Sequence, residues 1–183
     1  MVKDTWLANQ GNLDALAERL GDLAGKTVLD LGFGQGKMVS ALVEAGADVM
    51  GVEVSETMRS MANDANRQAV SDGRVDLRIG DGVRLPFEDD TADAVTSAHS
   101  IYFMSDPAET MAEVRRVLRP GGWVTLAFIS AEKGVATWMD PAVYTAYLTD
   151  EVTALLNGAG FTETEAIIDE ALPFPLRWVV AKA

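Results

Sequence analysis

The segment Val28-Leu-Asp-Leu-Gly-Phe-Gly-Gln-Gly36 constrains the fold of this chain more than any other. An apolar β-rich run, Thr27–Leu31, enters a turn with glycine at alternate positions. A helical pattern, Lys37–Glu44, leaves the turn and stops at Gly46. Glycines in such a turn permit positive φ and let a ligand approach the backbone closely. The N–H groups exposed where the helix begins favour a carboxylate or a phosphate.

The rest of the chain repeats the alternation of strand and helix, which predicts a parallel sheet covered on both faces. A second strand at 48–52 ends at Glu53, and Ser55 caps a helix predicted over 56–70. Val75–Ile79 reads as a third strand, 80–91 as a polar loop with Pro86, and 92–97 as a fourth strand. Asp106, Pro107 and Glu109 form a helix start in which proline's missing N–H costs nothing. Met111, Val114 and Leu118 give that helix its apolar stripe. Pro120, Gly121 and Gly122 break it and open a fifth strand at 123–129. A helix over 150–157 stops at Gly158 and Gly160. The last two strands, 161–168 and 176–181, are separated only by a turn region with Pro173 and Pro175. They are expected to pair as an antiparallel hairpin at the sheet edge. Before all of this, Asn12 is positioned to cap a helix over 13–20, within an N-terminal helical extension of about 25 residues. The expected fold is a doubly wound α/β domain spanning 1–183. Its sheet has seven strands and is mostly parallel, with an antiparallel C-terminal hairpin strand.

Composition narrows the chemistry. The 183 residues fit one domain, with 48% hydrophobic and 23% charged residues. No cysteine is present, which removes disulfides, thiolate metal sites and cysteine nucleophiles. A single histidine builds no histidine metal site, so no metal is expected. The net charge of −13 opposes nucleic acid as a partner, because phosphate binding needs clustered Lys and Arg. Residues 1–10 carry no apolar signal region, and no apolar run nears the ~20 residues of a membrane span. A soluble cytoplasmic protein without a membrane partner is therefore expected, with monomer and homodimer both open.

Glu53 sharpens the glycine turn. It ends the second strand, where an acid reaches the vicinal hydroxyls of a ribose across the crevice. Dinucleotides and S-adenosyl-L-methionine both fit at this level. The dinucleotide fingerprint G-x-G-x-x-G/A is not met, since Gly36 comes one residue early. Asp30, just before the first glycine, is a poor neighbour for a pyrophosphate. It suits the ammonium and sulfonium of S-adenosyl-L-methionine.

At this point the chain resembles the class I S-adenosylmethionine-dependent methyltransferases, in the small group related to quinone-biosynthesis C-methyltransferases. The resemblance runs from Lys26 to the C-terminus. It rests on Val28 to Gly36 and on Val49-Met-Gly-Val-Glu-Val-Ser55 followed by Met58. It rests equally on Gly80-Asp-Gly82 with Leu85-Pro-Phe87 and Asp93, on Glu113-Val-Arg-Arg-Val-Leu-Arg-Pro-Gly-Gly-Trp123, and on Leu155-Leu-Asn-Gly-Ala-Gly-Phe161. It implies a Rossmann-like fold, S-adenosyl-L-methionine as cofactor and methyl transfer as the activity. Asp30, Gly32 and Gly34 would border the methionine end, with Phe33 and Gln35 facing it. Glu53 would bind the ribose, with Val54 beside it. Met58 would pack near the adenine, with Asp81 accepting from its amine and Gly82 offering an N–H. Ser97 completes the expected cofactor-binding set. Phe33 stands where the family often has a small residue or cysteine, and Gln35 where Thr or Ser is usual.

Methyl transfer from a sulfonium asks mainly for orientation, worth up to about 7–11 kcal/mol. A general base is optional. His99, at the end of the fourth strand, is the candidate base. Tyr102 and Phe103, with Trp138 and Tyr144 from the segment after the fifth strand, are candidate walls of an apolar acceptor pocket. The leading expectation is a small-molecule acceptor. The alternatives are a protein methyltransferase and a non-catalytic cofactor-binding scaffold of the same fold.

Overall fold

A computed structural model describes residues 2–135, 139–168 and 175–183. Its strands are β1 (Thr27–Leu31), β2 (Asp48–Glu53), β3 (Val75–Ile79), β4 (Ala92–Ala98), β5 (Leu118–Ile129), β6 (Thr162–Ile168) and β7 (Leu176–Lys182). Its helices are α1 (Val2–Leu20), α2 (Lys37–Glu44), α3 (Glu56–Ala65), α4 (Arg67–Ser71), α5 (Pro107–Val117) and α6 (Thr149–Gly158). The strands form one sheet in the order β3-β2-β1-β4-β5-β7-β6. Strands β1 to β5 pair in parallel, and β7 runs antiparallel to both neighbours. The expected hairpin is present, but β7 inserts beside β5 and leaves β6 at the edge.

Strand periodicity divides the core in two. On β1, Val28 joins Leu16, Val39, Leu42 and Val49 on the face covered by α1 and α2. Leu29 and Leu31 join Met111, Val114, Leu126 and Leu156 on the face covered by α5 and α6. Asp30 shares the parity of Val28 and so points to the α1–α2 side. The strand order reverses between β1 and β4, and that is where an open α/β sheet parts at the carboxyl ends of its strands to admit a ligand.

Three local expectations are corrected. Asn12 does not cap a helix; it lies inside the longer α1, fully buried. Its amide donates to Ser97 O at 3.1 Å and its carbonyl accepts from Thr125 Oγ1 at 2.9 Å. The helix after Ser55 is two helices, split at Asn66, whose buried amide donates to Ala62 O and whose carbonyl accepts from Ser40 Oγ. Side-chain bonds of this kind compete with the helical ladder. Strand β5 starts at Leu118, before Pro120-Gly121-Gly122, which forms a bulge where the register with β4 slips.

α1 approaches β7 closely at Gly11, where a Cβ would meet the Trp178 ring at 2.2 Å. The Trp178 indole N–H donates to Ala8 O at 3.1 Å. These contacts fix the N-terminal helix against the sheet, so it bears on the site.

Candidate functional site

Two clefts open at the carboxyl ends of β1, β2 and β4. The first, about 410 Å³, is lined by residues that include Gly32, Gly34, Glu53, Met58, Asp81 and Phe103. The second, about 300 Å³, includes Thr5, Asn9, Asp30, Gln35, Lys37 and Met38. Gly32, Gly34, Ala98 and His99 line both and form the divide between them.

The glycines of the turn have different duties. At Gly32 a Cβ would lie 2.1 Å from Ser100 Oγ, and at Gly36 2.7 Å from Ala62 Cβ, so both serve packing. Gly34 has φ +50 and nothing within 4 Å of such a Cβ. It is the glycine of this turn that leaves the backbone open to a ligand.

Two carboxylates stand at the ends of adjacent strands. Glu53 accepts from Gly34 N through Oε2 and from Ser55 N through Oε1, both at 3.1 Å. Each oxygen retains a lone pair for a ligand hydroxyl. Ser55 also caps α3 by accepting from Met58 N at 3.3 Å. Asp30 is 2% exposed, and its Oδ2 has no hydrogen-bond partner among the described residues. Burial first, and Glu53 second, push its pKa up to about 7. A carboxyl held this way is poised to pair with a cation brought in from outside.

The remaining predicted residues divide by position. Val54 is exposed and lines the first cleft with Met58. Asp81 and Gly82 line it too, and Asp81 Oδ1 accepts from Val83 N at 3.1 Å in a side-chain turn. Phe33 lines the second cleft, but its ring is buried in the core against Gly51 and does not face a ligand as expected. An apolar ring gains more from full burial in that core than from an open cleft. Ser97 lies beneath the site and donates to Leu31 O at 2.9 Å. It supports the strand end and does not line either cleft.

His99 has φ 59, a left-handed conformation that costs a non-glycine residue strain. Its backbone N–H donates to Ala127 O at 2.8 Å, and Nδ1 lies 3.1 Å from the Tyr102 hydroxyl. Tyr102 is buried and does not wall a pocket as expected; its ring sits in the core behind the site. Phe103 is exposed at the cleft, and Tyr144 packs against it with ring centres 4.9 Å apart. Tyr144 backs the cleft through Phe103 and does not line it. Trp138 lies outside the described residues.

Several lining residues were not read from the sequence. Thr5 and Asn9 come from α1, whose length and docking are tertiary facts. Met104 and Thr110 flank the start of α5, and Ser55 and Ala98 adjoin predicted residues. Adjacency was the only signal for the last pair. Two motif positions are structural. Asp93 sits at the amino end of β4, accepting from Thr27 N and pairing with Arg119. Glu113 accepts from Leu85 N and pairs with Arg116, which donates to Leu85 O and Phe87 O. Together they pin the loop that carries Asp81 toward the cleft.

A family profile described as a methyltransferase domain matches residues 29–126, more than half of the chain. The chain belongs to this methyltransferase-domain family. Methyltransferase GfsG of Streptomyces halstedii is 37% identical over 123 residues, covering 67% of this chain and 44% of that protein. Demethylmenaquinone methyltransferase of Clavibacter sepedonicus is 34% identical over 116 residues, covering 63% and 46%. This methyltransferase-domain chain thus spans under half the length of these curated relatives. A solved SAM-dependent methyltransferase from Aquifex aeolicus superposes with a TM-score of 0.76 at 22% identity, covering 92% of this chain and 88% of that one. The structural likeness establishes the seven-stranded, Rossmann-like methyltransferase fold. Among the described residues, no helix is long and apolar enough to cross a membrane.

Proposed function

We propose that this chain binds S-adenosyl-L-methionine across the two clefts and transfers its methyl group to a small-molecule acceptor. The observation that carries the reading is the pair of carboxylates at the glycine turn. Glu53 is fixed by two backbone N–H groups and keeps lone pairs for vicinal ribose hydroxyls. Asp30 is buried in the second cleft with its Oδ2 unpartnered among the described residues, where a ligand cation satisfies it. A ligand with a diol at one end and an ammonium at the other, bridging Gly34, fits both. A pyrophosphate beside Asp30 does not.

In this reading Gly32 and Gly34 border the methionine portion, Gln35 lies beside its polar end, and Met58, Val54, Asp81 and Gly82 enclose the adenine. When bound, S-adenosyl-L-methionine supplies a sulfonium methyl, an electrophile that needs no further activation. The protein's own residues orient, enclose and exclude water, the effects with most leverage on such a displacement. Phe103, backed by Tyr144, gives the first cleft an apolar wall on the acceptor side. The relative named demethylmenaquinone methyltransferase supports a metabolite acceptor.

Calorimetric titration with S-adenosyl-L-methionine and S-adenosylhomocysteine tests the cofactor. Micromolar binding that Glu53→Ala weakens strongly is the expected result. A folded protein that binds neither would overturn the reading. A screen for S-adenosylhomocysteine release with small apolar metabolites and with basic peptides tests the acceptor. Turnover confined to the peptides would move the reading to protein methylation.

A further inference from the structure

His99 stands on the divide between the two clefts, and the Tyr102 hydroxyl beside it decides which ring nitrogen carries the proton. The Tyr102 hydroxyl has two hydrogen-bond neighbours, Ile129 N and His99 Nδ1. Ile129 N–H is a backbone donor, so the phenol oxygen accepts there. Tyr102 is 3% exposed, and burial holds its pKa well above the ordinary tyrosine value, so the hydroxyl keeps its proton. Among the described residues that proton has one acceptor in reach, Nδ1 of His99. If Nδ1 carried a hydrogen instead, the phenol would face donors on both sides and its own O–H would be buried unpaired, which proteins avoid. A neutral imidazole that accepts at Nδ1 carries its hydrogen on Nε2. The left-handed backbone at His99, held by Ala127 O, sets the ring in this position, and the two rings stack at 23°.

We propose that Tyr102 is a positioning residue that locks His99 as the Nε2–H tautomer, making the histidine a fixed wall between the clefts with no lone pair left to take a proton from the methyl acceptor. The role in transfer rests on the proposed function; the tautomer does not. The acceptor class this favours is one whose nucleophilic atom is ready without a histidine base: a neutral amine, or an oxygen or carbon already ionised.

The chain holds one histidine, so its imidazole ¹⁵N resonances are unambiguous. Labelled wild-type protein at alkaline pH, with no ligand, is expected to show a protonated Nε2 and an unprotonated Nδ1. A Tyr102 hydroxyl proton correlated to Nδ1 is expected with it. Tyr102→Phe is expected to give a mixture of tautomers. A wild-type spectrum with hydrogen on Nδ1 would overturn the assignment even if the variant fails to fold, and so would a Tyr102→Phe spectrum identical to wild type. Neither readout needs cofactor or turnover, so loss of the methyltransferase reading and loss of this assignment are separable. With an acceptor from the metabolite screen, His99→Asn is expected to cost less than about tenfold in turnover, against roughly 10²–10⁴-fold for removal of a general base. A hundredfold loss would return His99 to that role.

Discussion

Glu53 and Asp30 are both acids at the carboxyl ends of neighbouring strands, and the fold treats them oppositely. Glu53 is satisfied before any ligand arrives, by Gly34 N and Ser55 N, and it presents a rigid acceptor to the first cleft. Asp30 is buried, with no partner for its Oδ2 among the described residues, and carries a raised pKa into the second cleft. The first is preorganised at little cost to the apo protein. The second destabilises the apo protein until a cation arrives. In the proposed function the same residue class therefore yields affinity by two routes, which distinct perturbations separate.

The largest effect is expected at Glu53. A hydrogen bond to a charged group contributes about 1.5–3 kcal/mol, so Glu53→Ala, which removes two, weakens S-adenosyl-L-methionine binding by about a hundredfold or more. Calorimetry reads this directly. A loss under about threefold would show that Glu53 does not hold the ribose.

Asp30→Asn is expected to act through pH. A cation binds the ionised form, so wild-type affinity falls as pH drops through about 7. The expected loss is about tenfold from pH 8 to pH 6, and Asp30→Asn flattens that profile. Stability runs the other way. Below the ordinary carboxyl pKa the folded and unfolded chains both bind the proton. Above it only the folded chain does, so apo stability declines as pH rises and the penalty is complete above about 7. That penalty is of order a few kcal/mol. Asp30→Asn should therefore raise the apo Tm more at pH 8 than at pH 5, measured by thermal denaturation. A variant that is uniformly destabilised and still pH-dependent in binding would break the contrast.

Gly34→Ala probes the backbone between the two acids. The left-handed conformation costs an L-residue about 1–2 kcal/mol, and the new methyl enters the space left for the ligand. We expect roughly tenfold weaker binding with a modest fall in Tm. Gly32→Ala, which collides with Ser100, should instead lower Tm with the larger share of its effect.

The smallest change in affinity is expected for Ser55→Ala. Glu53 is held by the backbone N–H of Ser55, which survives the substitution, while the cap on Met58 N is lost. Stability should fall by about 1 kcal/mol, and affinity should change by less than about threefold. A large loss of binding would mean that the Ser55 hydroxyl itself sets Glu53.

Much of the framework was legible because short-range physics specified it. Alternating apolar runs located all seven strands, Ser55 and Asp106 cap where expected, and glycine positions closed α2 and α6. Asp30, the glycine turn, Glu53, Met58 and Asp81 were readable as a set, since strand ends at a reversal of sheet order converge on one edge. Phe33, Ser97 and Tyr102 were placed in the site by position along the chain; Phe33 lines the second cleft but buries its ring, and Ser97 and Tyr102 line neither cleft. Phe33 found a core against Gly51, Ser97 a carbonyl on β1, and Tyr102 an amide on β5.

The sequence by itself determined the alternation of elements, the turn and the two acids, because periodicity, propensity and glycine geometry act within a few residues. Only the tertiary structure decided how those acids differ. Whether a carboxylate is satisfied or left buried depends on which amides and helices arrive from distant parts of the chain. It also decided that α1 walls the second cleft, through the approach of Gly11 to Trp178 and the buried bonds of Asn12 to β4 and β5. The Nε2–H tautomer proposed for His99 has the same cause: a backbone amide 27 residues away tells Tyr102 where to send its proton.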